Sequence, residues 1–197
     1  MHKGRLEAFT DGVIAIIITI MVLEMKVPHG ETQQALIPLW PVFLSYVLSF
    51  AYVGTYWTNH HHLLQAAEQV TGRVLLTNLN LLFWLSLLPF STGWMGENHF
   101  SEMPVALYGL NLLLAAVSYY ILQSAIVAAH GTQAWFRTAL GRDLKGKGSI
   151  AAYVAGIAAA LSGYPMFGFA ILGAVAIMWL IPDRRMERVI ASRTGQA

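Results

Sequence analysis

The sequence of 197 residues contains no cysteine. That absence removes disulfides, thiolate metal sites and thiol nucleophiles together, and says nothing about compartment. Charge is scarce as well: Asp, Glu, Lys and Arg make up 11% of the chain, against about a quarter in a soluble domain. Catalytic signatures are missing: no His-Glu-x-x-His, no Gly-x-Ser-x-Gly, no phosphate-cradling glycine loop and no repeated acidic pair on facing helices. An enzyme is not expected, and no cofactor is called for. A carbonyl filter of the Thr-Val-Gly-Tyr-Gly kind is also absent, so any ion selectivity has to arise differently. No cleavable signal peptide is expected, because the first apolar run is too long and no small-residue cleavage site follows it.

What the chain does have is apolar length. Hydrophobic residues are 56% of the total and the mean hydropathy is positive, the composition of an all-α integral membrane protein. Six transmembrane helices are expected: 5–27, about 36–64 with Pro38 and Pro41 near its start, 74–94, 104–129, 149–163 and 165–181. Ser162-Gly163-Tyr164-Pro165 reads as a compact turn between the last two. We expect one six-helix domain over residues 1–182 and a short basic cytoplasmic tail over 183–197.

Orientation follows from the basic residues. With six spans and the N-terminus inside, Lys3, Arg5, Arg73, Arg137, Arg142, Lys145, Lys147, Arg184, Arg185, Arg188 and Arg193 are cytoplasmic, leaving only Lys26 outside. Both termini are therefore cytoplasmic, and the basic balance is a topology signal that needs no nucleic-acid partner. The loop 132–148, with Trp135 and Phe136, and the tail read as solvated topology determinants or as surfaces lying on an anionic leaflet.

The first hydrophobic segment, RLEAFTDGVIAIIITIMVLEMKV, is about 23 residues long and at ~1.5 Å per residue reaches across a ~30 Å core. It carries Arg5, Glu7 and Asp11 near its start and Glu24 near its end, and charges at membrane depth need partners or water. On a helix, Phe9, Ile16, Ile20, Leu23 and Val27 share one stripe, with Gly12 and Thr19 beside it. Asp11 points almost the opposite way, toward whatever packs behind. By pattern alone the stripe is equally a lipid-facing or core face.

The stretch Arg5-Leu6-Glu7-Ala8-Phe9-Thr10-Asp11-Gly12 resembles the Arg-x-x-x-Phe-Ser-Asp signature opening the first helix of the endolysosomal potassium channel family, transmembrane protein 175 and its prokaryotic relatives. Thr10 replaces the usual Ser and keeps the hydroxyl. The resemblance covers the six-helix body, though its specific motif is this one block. It implies a potassium-selective cation channel of the cell membrane, assembled as a homotetramer with the first helices lining the pore. It further implies rings of bulky apolar side chains beginning five residues beyond the motif aspartate. On this chain these are Ile16, Ile20 and Leu23, the residues that helical spacing had grouped, with Thr19 as polar neighbour to a partly dehydrated potassium ion.

Polar residues of the second and third segments lie at the depth of Asp11: Tyr56 to His62, Asn78 and Asn80. We expect a network in which Asp11 accepts hydrogen bonds from Arg5, from His60, His61 or Asn78, and from the Trp57 indole. Its role is to hold the first helix, and a histidine in it responds to pH. His60, His61 and His62 are 100° apart on a helix and cannot converge on one metal. One of them with His130 would suit a haem, and Asp11, Glu24 or the histidine run would serve as the relay of a proton-coupled transporter; both remain alternatives.

Overall fold

The computed structural model describes residues 2–65, 67, 69–129 and 144–181, and its regular elements are all helical. They are α1 (Lys3–Leu23), a 3-10 helix (Gln33–Leu39), α2 (Trp40–Gln65), α3 (Gly72–Ser86), α4 (Leu88–Glu97), α5 (Glu102–Ala129), α6 (Leu144–Leu161) and α7 (Pro165–Leu180). Among the described residues four stretches are long and apolar enough to cross a bilayer: Lys3–Leu23, Gln33–Gln65, Gly72–Glu97 and Glu102–Ala129. The expected fifth and sixth segments are helical too, but α7 has only 16 residues and α6 opens on Leu-Lys-Gly-Lys-Gly.

Two expected boundaries shift for backbone reasons. The second segment starts as a 3-10 helix containing Pro38 and becomes an α-helix only at Trp40, since a proline inside a helix removes a donor and crowds the preceding turn. The third is two helices, broken at Leu87 just before Pro89. Asn111 of α5 covers the break. In the amide orientation that satisfies both its ends, Nδ2 donates to the Trp84 carbonyl at 2.8 Å while Oδ1 accepts from the Leu88 amide at 3.3 Å and the Ser91 hydroxyl at 3.1 Å. A helix interruption inside a bilayer is tolerated where a neighbour takes up the freed backbone groups.

The core is one continuous cluster, mostly Leu, Val, Ile, Met, Tyr and Ala, to which each described α-helix contributes and the 3-10 helix does not. Hydroxyl bonds cross it: Ser49 of α2 meets Thr92 at 2.6 Å and Tyr108 at 2.9 Å, all buried. The turn between α6 and α7 falls where the sequence puts it, with Gly163 at φ 88°, a left-handed conformation that glycine adopts without a Cβ penalty. Helix α4 lies so close to α2 that a Cβ added at Gly96 would sit 2.7 Å from the Val42 Cα and 3.1 Å from the Ser45 Oγ. Backbone cannot yield as a side-chain tip does. Gly96→Ala should therefore cost about 1–3 kcal/mol, seen as a lowered melting temperature in detergent; a melt like that of wild type would mean the two helices separate freely.

A candidate pore helix and its polar anchor

Helix α1 buries a single stripe against its own chain: Leu6, Thr10, Ile14, Ile17 and Met21. These positions recur every three or four residues, the spacing of one helix face. Ile16, Ile20 and Leu23 fall outside that stripe and are 59%, 41% and 75% exposed. Phe9 and Val27 are exposed with them. Thr19 is exposed, and its hydroxyl donates to the Ala15 carbonyl at 2.9 Å. The hydroxyl proton is spent on the helix, leaving the oxygen lone pairs on the outer face.

The buried stripe ends in a polar anchor. Thr10 is fully buried and accepts from the Asn78 Nδ2 of α3 at 3.0 Å. The Asn78 carbonyl oxygen meets His60 Nε2 of α2 at 2.7 Å. Since the Asn78 amide nitrogen already donates to Thr10, its oxygen takes the proton of His60 Nε2, and the ring is held in that tautomer. Three helices are joined through one buried asparagine.

Asp11 is not the hub of this network. It lies at the edge of the buried stripe, is exposed, and accepts from the Trp57 indole nitrogen at 2.9 Å. The expected Arg5 contact is absent among the described residues: Arg5 is exposed, and the one described ion pair joins Lys26 to Glu97. Six residues of helix put Arg5 and Asp11 roughly 120° apart, so the two cannot meet. His61 also stays out of the Asp11 contact; it stacks on the Trp57 ring and bonds Gln65. His60 and Asn78 do take part, through Thr10. Helical spacing could have found Thr10, which shares a face with Ile14, Ile17 and Met21. Trp57→Phe removes the donor to Asp11 and leaves the buried anchor intact. It should cost about 1 kcal/mol, a melting shift clearly smaller than any at Asn78.

At the opposite end of α1, Lys26 Nζ and Glu97 Oε1 are 2.8 Å apart and largely exposed. The hydrogen bond that Lys26 donates to the Glu97 carboxylate raises the Lys26 pKa above its usual value, and salt screens such a pair. No cluster of His, Asp or Glu that could hold a metal ion occurs among the described residues. His130, the haem partner considered above, lies outside them, as do most of the loop 132–148 and the tail 183–197.

An all-helical bundle, four of its stretches fit to span a bilayer, with an apolar face of its first helix left uncovered, is the architecture of a multi-pass membrane protein of the channel type. The family model described as endosomal/lysosomal potassium channel TMEM175 matches residues 5–89. A protein named as a potassium channel from a Chryseobacterium species is 50% identical over 188 residues, covering 95% of this chain and 97% of that one. The crystal structure of a lysosomal potassium-selective channel TMEM175 homolog from Chamaesiphon minutus shares the fold with a TM-score of 0.76 at 25% identity, covering 91% of this chain and 96% of the other. A Gallus gallus protein named endosomal/lysosomal proton channel TMEM175 is 33% identical over 103 residues, 46% of this chain and 21% of that longer protein. The chain belongs to the TMEM175 family, whose members named here are channels and not enzymes.

Proposed function

We propose that this chain forms a potassium-selective leak channel, a homotetramer with one α1 from each copy around the pore. One observation carries the reading: the face of α1 holding Ile16, Ile20 and Leu23 is exposed in the single chain although a second stripe, roughly a third of the way round the helix, is tightly buried. Cyclic assembly covers such a face with copies of itself. Four copies of each residue stack three apolar rings. A narrow apolar constriction gates by dewetting, so small changes of radius decide whether water and ions enter. Potassium is favoured because sodium holds its hydration shell more tightly and loses more on partial dehydration, with the Thr19 oxygens as polar contacts near the rings. Potassium is the permeant species and no cofactor is required.

Six spans, both termini in the cytoplasm and residence in the cell membrane of a prokaryote complete the proposal, supported by the distribution of Lys and Arg. Residues 1–182 form the channel domain and 183–197 its tail. The Thr10–Asn78–His60 anchor and the Asp11–Trp57 bond hold α1 at its cytoplasmic end. A proton-coupled transporter fits less well, since Asp11 and Glu24 lie near opposite ends of α1. The test is potassium flux from liposomes loaded with potassium in external sodium, with a valinomycin control. Flux without a proton gradient, much reduced when sodium is the only permeant cation, is the expected result. Flux that requires a proton gradient would overturn the channel reading.

A further inference from the structure

Helix α2 stands away from α5, α6 and α7 toward its C-terminal end, and tyrosines bridge the space. Tyr119 of α5 donates to the Asn59 carbonyl at 3.1 Å, Tyr52 to the Leu172 carbonyl at 2.6 Å, and the Tyr56 and Tyr119 rings meet edge to face. Between them is a cavity of about 140 Å³, walled chiefly by Tyr52, Tyr56, Tyr119, Tyr153, Ile150 and Trp179, with Lys147 of α6 among its lining residues. We propose that this cavity takes the acyl chain of an anionic phospholipid, with its headgroup at Lys147.

The chemistry of the lining selects that ligand. No carboxylate lines the cavity among the described residues, so an organic cation finds rings but also the Lys147 charge against it. Lys145 is already engaged, its ammonium donating to the Ile181 carbonyl at 3.1 Å and lying 5.9 Å from the Trp179 ring centre. Exposed Lys147 has no hydrogen-bond or ion-pair partner among the described residues, leaving it free for an anionic headgroup. The volume resembles that of apolar cavities of about 150 Å³ that hold a benzene-sized guest. It therefore admits one stretch of chain, not a whole lipid. The start of α6 shares its end of the bundle with Lys3, Arg5 and Arg73 at the starts of α1 and α3, and anionic headgroups gather at basic membrane surfaces.

Occupancy would act on α1 through α2. Tyr56 and Asn59 line the cavity, and their chain neighbours Trp57 and His60 hold Asp11 and, through Asn78, Thr10. A chain in the cavity fixes α2 and with it the cytoplasmic end of the proposed pore helix. Only this regulatory consequence rests on the channel reading.

The test uses the delipidated full-length protein with phosphatidylglycerol, phosphatidylcholine or a free fatty acid of the same chain length. Bound lipid is read by native mass spectrometry and stability by thermal melting. Phosphatidylglycerol should bind and stabilise in preference to phosphatidylcholine, and Lys147→Gln should reduce that preference about fivefold, the contribution of one interfacial lysine. Ala116→Phe, which fills the cavity from α5, should remove the bound chain. Equal binding of the two phospholipids, an unchanged preference in Lys147→Gln, or binding of the fatty acid alone overturns the assignment. Potassium flux in vesicles of each lipid is read separately: lipid preference without any flux sinks the channel reading and leaves the site standing.

Discussion

Ile16→Asn should admit sodium. Four asparagines in place of four isoleucines put hydrogen-bonding groups where the proposed ring now presents only methyl and methylene surface. The constriction then holds water, and an ion need not shed its shell to pass. We expect relative sodium permeability to rise by about tenfold, equivalent to about 1.4 kcal/mol of lost discrimination, with total flux increased as well. The folded state should barely change, because Ile16 is 59% exposed in the single chain and is not part of the buried stripe. Paired flux measurements in potassium and sodium, beside a melting curve, give the answer. Wild-type selectivity in a well-folded Ile16→Asn protein would remove Ile16 from the selectivity element. Parallel substitutions at Ile20 and Leu23 then show whether another ring takes that part.

Asn78→Leu is expected to be the most damaging single change to the fold. It removes both bonds of a fully buried side chain and strands two partners: the His60 ring, 2% exposed, and the Thr10 hydroxyl, fully buried. A donor or acceptor left unpaired in an apolar interior carries its whole desolvation penalty, so a loss of about 2–4 kcal/mol is expected. Thermal melting in detergent measures it. Adding His60→Leu and Thr10→Val to the variant makes the whole group apolar, and replacing all partners together is close to neutral. The triple variant should recover much of the lost stability. Should Asn78→Leu melt with wild type, the three-helix anchor is not a structural element at all.

The sequence carried the long-range logic of α1 better than its local detail. The stripe of Ile16, Ile20 and Leu23 follows from 3.6-residue periodicity, and the structure leaves those three residues uncovered. The Trp57–Asp11 bond was also legible, because both residues belong at the same depth of adjoining helices. The hub of the anchor was not, since a carboxylate draws attention that a threonine beside it does not. Burial depends on which side of the helix the neighbours occupy, and that side is centred on Thr10. The break at Leu87 was signalled by Pro89, but hydropathy averaged over the span conceals it. The glycine contact at Gly96 and the space between α2 and α5 depend on how separate helices pack, which no single-segment pattern encodes.

Helix α1 gives its own chain only one stripe, so most of its circumference awaits other molecules. In the proposed assembly its final placement is a property of the population in the bilayer, governed by mass action among copies. The proposed fourfold assembly would also pool chains indiscriminately. With equal amounts of intact and Ile16→Asn chains, roughly one assembly in sixteen holds four isoleucines in the ring if the copies mix at random. In the proposed tetramer about fifteen assemblies in sixteen would then carry at least one substituted chain, a genetic dominance written into the way one helix meets its neighbours.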